Sequence, residues 1–193
     1  MKDINKENLR LKIEVERLNG LVNFYKYDTL TGLRMRRDFE LKFSEFFNSG
    51  IVFYLSMIDI NGLHSLNREK SYEFGDRLIK SVANTLTSKL NGAVYRIGGD
   101  EFVAITVDEP GLDFMNKNYV GSYVCSKDFK AEKEMFDKVD RKVVEVKEIF
   151  YKNNNDRRHS QADTKTSSDN FHNSDRFPTF MYNSWSLKLY LNF

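Results

Sequence analysis

Seven residues, Arg96-Ile97-Gly98-Gly99-Asp100-Glu101-Phe102, constrain this chain more than any other stretch. Adjacent glycines permit a tight turn, and two carboxylates sit directly on it. The flanks, residues 93–97 and 102–105, are apolar and suit paired strands. The segment reads as a β-hairpin over 93–107 with negative charge concentrated at its tip. Such a tip is poor at packing. It suits a divalent metal ion that in turn grips phosphates, so metal-assisted nucleotide chemistry is the first hypothesis.

Composition narrows the remaining classes. At 193 residues and 40% hydrophobic, the chain holds one ordinary domain plus extensions. A net charge of +2 gives no global electrostatic case for nucleic acid or membrane as partner. One cysteine, Cys125, excludes an internal disulfide framework and fits a reducing compartment. No apolar run approaches the ~20 residues needed to span a bilayer. The first residues alternate charged and apolar side chains and form no secretory signal. The expectation is a soluble, cytoplasmic protein.

Residues 1–23 predict a helix. Ile4, Leu11 and Leu18 recur every seven residues, with Asn8, Val15 and Val22 as the companion series. Taken as d and a positions they form a short seam that suits a parallel two-stranded coil. The same pattern also suits an amphipathic helix packed on its own domain. A turn-rich connection over 27–32 leads to a helix over 34–48, with Phe39, Phe43, Phe46 and Phe47 on its inner face. The run 51–58 predicts a strand buried on both faces. A loop over 59–72 precedes a helix over 74–90 that carries Leu78, Val82 and Leu86. After the hairpin, Pro110-Gly111 breaks the chain. A strand over 119–125 and a helix over 131–151 follow, the helix with Phe136, Val139, Val143, Val146 and Phe150 on one side. Residues 153–176 read as a disordered linker. Residues 177–193 regain apolar character, with a strand-like alternation from Trp185 to Phe193. The order helix, strand, helix, hairpin, strand, helix suits an α/β sandwich with a mostly antiparallel sheet.

A metal site for nucleotides needs more than one acid. Asp59 ends the buried strand and Asp100 lies on the hairpin tip. If those strands pair, both carboxylates emerge at one sheet edge. With the main-chain carbonyl of Ile60 they suit one or two Mg²⁺ ions, which favour oxygen ligands and keep phosphate and water in their shell. The alternative is that Asp59 merely caps a strand end.

These residues resemble the GGDEF domain family. Asp28-Thr-Leu-Thr-Gly-Leu33, followed by Arg36, Arg37 and Phe39, looks like its opening motif. Asp59-Ile-Asn-Gly-Leu-His-Ser-Leu-Asn67 looks like its metal and guanine loop, and Gly75-Asp76 follows with the family's spacing. Residues 96–102 match the signature, and Val139-Asp140 through Lys147 resembles the final helix. The resemblance runs from about residue 20 to 150. It implies a palm-like, nucleotidyl cyclase-like sheet with flanking helices and an N-terminal helix. It implies a cyclase domain over 24–152, with 1–23 as a signalling or dimerisation helix. It implies diguanylate cyclase activity, in which two GTP condense to cyclic di-GMP and two pyrophosphates. By the same resemblance Asp59, Ile60 and Asp100 bind Mg²⁺ or Mn²⁺, and Glu101 is the neighbouring catalytic acid. Asn67 and Asp76 recognise guanine, while Gly98 and Gly99 let the backbone approach the nucleotide. A carboxylate at Asp76 matches the N–H donors of guanine, where adenine offers an acceptor at N1. Each domain aligns one 3′-hydroxyl with one α-phosphate, so cyclisation calls for a homodimer.

The chain also departs from the family's pattern. Asn61 stands where a second aspartate is common, and Leu63 where an aromatic residue is. His64 replaces a lysine expected at the triphosphate, with a shorter side chain and less positive charge at neutral pH. The window Lys89-Leu-Asn-Gly92 lacks the family's Arg-x-x-Asp product site, so feedback inhibition through it is not expected. After Phe102 a helix is missing, which predicts one thinly covered sheet face, with the tail from Phe177 as one candidate to compensate. Lys147 remains as a phosphate contact. Two other functions fit the same residues: synthesis of another cyclic di- or oligonucleotide, and a degenerate binding or dimerisation module.

Overall fold

A computed structural model of the protein describes residues 2–153. The expected linker and apolar tail beyond Asn153 lie outside the described residues. The chain divides into two compact units, Met1–Ile149 and Phe150–Phe193. The sheet and the site belong to the first.

The elements are α1 (Lys2–Lys26), β1 (Arg34–Met35), α2 (Arg36–Ser49), β2 (Tyr54–Ile60), α3 (Leu63–Glu69), α4 (Tyr72–Lys89), β3 (Gly92–Arg96), β4 (Glu101–Thr106), β5 (Tyr119–Cys125) and α5 (Glu132–Asn153). The sheet order is β1-β3-β4-β2-β5. β3–β4, β4–β2 and β2–β5 are antiparallel, and only the two-residue β1 runs parallel to β3. The mostly antiparallel, helix-flanked sheet is therefore as expected.

Side-chain alternation along the strands builds two cores, one on each face of the sheet. Leu55 and Met57 of β2 join Phe39 and Phe43 of α2 and Met135, Val139 and Val143 of α5. Ile58 and Ile60 join Leu63 of α3 and Ile79, Val82, Ala83 and Leu86 of α4. β2 is thus apolar on both sides, as its continuous hydrophobic run predicts. Gly50, at φ 75°, ends α2 in the left-handed conformation that a side chain disfavours. Ser71 opens α4, its hydroxyl accepting the Phe74 N–H at 3.3 Å.

The main departures from the sequence reading are two. The expected loop over 59–72 contains α3, which starts at Gly62 (φ 63°) and is anchored by the buried Leu63. A helix this short carries too few periodic positions to stand out from a loop. The face expected to be thinly covered is covered by the shortened connection itself. Leu112, Phe114 and Met115 pack against the α4-side core. The connection is tied to the end of β2: the Asn61 N–H donates to the Asn118 carbonyl at 2.8 Å, and Asn61 Nδ2 donates to the Lys117 carbonyl at 3.3 Å. An aspartate at 61 would have no amide to donate in that second bond.

For α1 the sequence left two packings open. Its seam does not pack on the domain: Ile4, Leu11, Val15, Leu18 and Val22 are all exposed, Ile4 at 64%. Among the described residues no helix is long and apolar enough to cross a membrane.

Candidate active site

β2 and β4 bring the acids together. Their antiparallel register sets Asp59 opposite Glu101, and the Ile60 N–H donates to the Asp100 carbonyl at 3.0 Å. Residues directly opposite in an antiparallel pair project to the same face. For Asp59 this is the face of Leu55 and Met57, beneath α5. The turn over 98–100 is closed by N–H donations from Ile97 and Gly98 to the Glu101 carbonyl, at 2.9 and 3.3 Å.

Asp59 is an electrostatically loaded group. Burial pushes its carboxyl up to about 6, Lys147 partly offsets that, and the negative charges of Asp100 and Glu101 add to the rise. Lys147 reaches down from α5 and places Nζ 2.7 Å from Asp59 Oδ1. This contact spans most of the domain in sequence, and it was not anticipated.

The tip is held from behind by arginines. Arg96 Nη1 donates to Asp28 Oδ2 at 2.9 Å, and Nη2 donates to the Gly99 carbonyl at 2.6 Å. Asp28 Oδ2 also accepts the Thr31 N–H at 2.9 Å and the Thr31 hydroxyl at 2.6 Å. Burial alone would raise the Asp28 carboxyl, but the Thr31 and Arg96 bonds outweigh it and hold the group below its usual range. Arg36 Nε donates to the Ile97 carbonyl at 3.0 Å, and its Nη2 lies 3.9 Å from Glu101 Oε2. Sequence reading placed these residues in motifs but gave them no task. The available signal was an acid and an arginine 68 residues apart, each inside a motif.

The two signature glycines serve different purposes. The described glycines with positive φ are Gly32, Gly50 and Gly62, so neither Gly98 nor Gly99 is required by a left-handed backbone. A Cβ on Gly98 would come within 2.6 Å of Glu101 Oε2. A Cβ on Gly99 would meet nothing within 4 Å. Gly98 therefore makes room for the Glu101 carboxylate, and Gly99 leaves the tip open to approach.

A second group begins just beyond β2, where Gly62 turns the chain into α3. Asn67 lies against α4, with its Oδ1 buried and without a hydrogen-bond donor. A Cβ on Gly75 would stand 1.9 Å from that oxygen, so only glycine lets Asn67 seat there. Asp76, the next residue, is exposed, as is His64 on the first turn of α3.

Among the described residues no group of three or more His, Cys, Asp or Glu side chains forms a metal cage. Mg²⁺ does not require one, since it is commonly held by one or two carboxylates plus phosphate and water. The donor set fits a hard divalent cation. All its atoms are oxygens, and the Asp59 carboxyl, raised chiefly by burial and further by the charges of Asp100 and Glu101, gains from a cation beside it.

A palm-like, mostly antiparallel sheet with acids at the end of its inner strand β2 and on the adjoining glycine hairpin defines a nucleotidyl cyclase-like class of domain. Residues 25–117 match the family model described as "Diguanylate cyclase, GGDEF domain". Over residues 25–117 the chain is similar to the GGDEF family, and the match stops inside the shortened connection before β5. It is 32% identical over 104 residues to diguanylate cyclase VdcA of Vibrio cholerae serotype O1, covering 53% of this chain and 31% of VdcA. It is 31% identical over 114 residues to cyclic di-GMP phosphodiesterase PdeB of Shewanella oneidensis, covering 58% of this chain and 12% of PdeB. The chain thus spans about a third or less of the length of these curated relatives. Among solved structures it resembles the coiled coil and GGDEF domain of DgcB from Caulobacter crescentus, with TM-score 0.64 and 16% identity over 75% of this chain and 92% of that one. It also resembles the S helix-GGDEF-EAL structure of Vibrio cholerae LapD, with TM-score 0.60 and 18% identity over 72% of this chain and 38% of that one. At these identities the structural likeness establishes the fold.

Proposed function

We propose that the chain is a diguanylate cyclase that condenses two GTP into cyclic di-GMP and two pyrophosphates, working as a homodimer with a divalent metal. The observation that carries this reading is the meeting of Asp59 with the Asp100-Glu101 tip across β2 and β4. Asp59, Asp100 and the Ile60 carbonyl hold Mg²⁺ or Mn²⁺. The bound metal supplies neutralisation of triphosphate charge and activation of the ribose 3′-hydroxyl. Glu101, seated in the space left by Gly98, is the neighbouring acid. Lys147 and His64 serve the triphosphate, and Gly99 leaves the nucleotide an open approach. Asn67 and Asp76 accept from the guanine N–H groups, and an unmatched acceptor there costs about 1–3 kcal/mol, which favours GTP over ATP. Two domains facing each other supply the two hydroxyls and two phosphates, and the exposed seam of α1 raises their effective concentration.

A second reading is a binding or dimerisation module without turnover. The observation that favours it is Lys147, whose ammonium already neutralises Asp59.

The deciding experiment is incubation with all four nucleoside triphosphates and either Mg²⁺ or Mn²⁺, read by pyrophosphate release and mass spectrometry. Cyclic di-GMP is the expected product. A different cyclic nucleotide would place the chain in another synthase class. No pyrophosphate with either metal would favour the module. Asp100→Ala is expected to remove turnover with little change in melting temperature, because a partly exposed acid leaves no core cavity.

Gly75→Ala tests the guanine side. The new Cβ must push Asn67 aside, at a cost of about 1 kcal/mol in stability. Guanine-nucleotide affinity is expected to fall about tenfold, since one of two base-recognising acceptors is displaced. Unchanged affinity, measured by titration calorimetry, would remove Asn67 from the site.

A further inference from the structure

We propose that Lys147 couples metal entry to triphosphate binding: its ammonium holds the same Asp59 carboxylate that a divalent cation needs, and an incoming triphosphate draws it away. This rests on the reading of Asp59 as a metal ligand and adds what controls access to it.

The geometry is specific. Lys147 follows the buried Val143 by four residues, one helical turn along α5, and therefore continues its sheet-facing side. Val143, Val139 and Met135 fix α5 over the sheet. The β2 register directs Asp59 toward that same helix, and the two charges meet at 2.7 Å with Asp59 only 14% and Lys147 26% exposed. A dication at Asp59 Oδ1 would stand within a few ångströms of an ammonium, and like charges in a part-buried site repel strongly. Both cannot hold one oxygen at full strength. A triphosphate resolves the conflict, because its oxygens give the ammonium a second anionic partner within reach of the same edge. Metal alone should therefore bind weakly, and metal with triphosphate should bind well. The coupling is reciprocal, as linkage requires.

Lys147→Met keeps the apolar stem and removes the charge, and Lys147→Gln provides a second variant that retains a polar tip. The first readout is Mn²⁺ alone, followed by the electron paramagnetic resonance signal of free ion. The second is guanosine 5′-(α,β-methylene)triphosphate titrated in EDTA. Both variants are expected to bind Mn²⁺ about tenfold more tightly than the parent, and the metal-free analogue about tenfold more weakly. A merely structural role for Lys147 would move both affinities in the same direction, and that result would overturn the proposal. Equal or weaker Mn²⁺ binding in both variants would also overturn it. Adding Asp59→Asn to Lys147→Met should abolish Mn²⁺ binding. If Mn²⁺ binding survives there, the metal site lies elsewhere, and the assignment of Asp59 fails before the coupling is in question.

Discussion

Asp59→Asn is expected to make the domain more stable above pH 6 and catalytically silent. The folded-state carboxyl is raised to about 6, chiefly by burial, against an unfolded value near 4. A raised value means that the protonated form suits the fold better. The associated stability is fully present below pH ~4 and is lost as the pH rises through about 6. Asparagine imitates the protonated acid and does not titrate. Parent and variant should therefore be equally stable near pH 4 and diverge upward, reaching a plateau of about 2–3 kcal/mol above pH 7. For a domain of this size that corresponds to roughly 5–10 °C in melting temperature. Melts from pH 4 to 8 in EDTA check the size and direction. The loss of the Lys147 ion pair is already inside that net figure. A variant less stable than the parent at pH 8 would mean that the pair outweighs the burial cost. The same substitution removes a proposed metal ligand, so pyrophosphate release should drop to background.

Arg96→Ala should act in the opposite direction. Arg96 and Asp28 are 12% and 17% exposed, and their contact ties the turn after α1 to the hairpin tip. Deleting the arginine leaves a part-buried carboxylate with only Thr31, and strips the Gly99 carbonyl of its charged donor. Removing one partner of a buried pair costs about 3–5 kcal/mol, and the residual Thr31 bonds place this case near the lower end. Melting should fall by roughly 6–12 °C at pH 7. The sign with pH also differs from that of Asp59. The Asp28 carboxyl is depressed, so its stabilisation is present above pH ~4 and lost as the pH falls through the lower folded value. The gap between parent and Arg96→Ala should therefore shrink in acid. A gap independent of pH would assign the loss to the Gly99 bond alone.

These two acids show how fold and function divide. Asp28 is held by partners that outweigh its burial, which makes it a brace. Asp59 is under-compensated even with Lys147 against it, which is in keeping with its proposed role as a metal ligand.

Much of this was legible in the residues. Apolar runs, the paired glycines and helical spacing predict β2, the hairpin, β5, α2, α4 and α5, because these signals are local. The motif spacing puts Asp59, Asp100 and Glu101 at strand ends that need only one pairing to meet. α3 escaped because it is seven residues long and begins at a left-handed glycine. The cover supplied by Leu112, Phe114 and Met115 escaped because irregular chain carries no period. The exposure of the α1 seam was undecidable, since one heptad pattern serves a partner helix or the parent domain equally well.

What the sequence determined by itself was the longer elements and the chemistry concentrated in its motifs, since both depend on neighbours within a few residues. The tertiary structure alone decided which charges answer which. Arg96 found Asp28, and Lys147 found Asp59, through strand register and helix placement. Electrostatic partners are chosen by distance in space, and no local pattern encodes a contact of a few ångströms between residues that lie tens of positions apart.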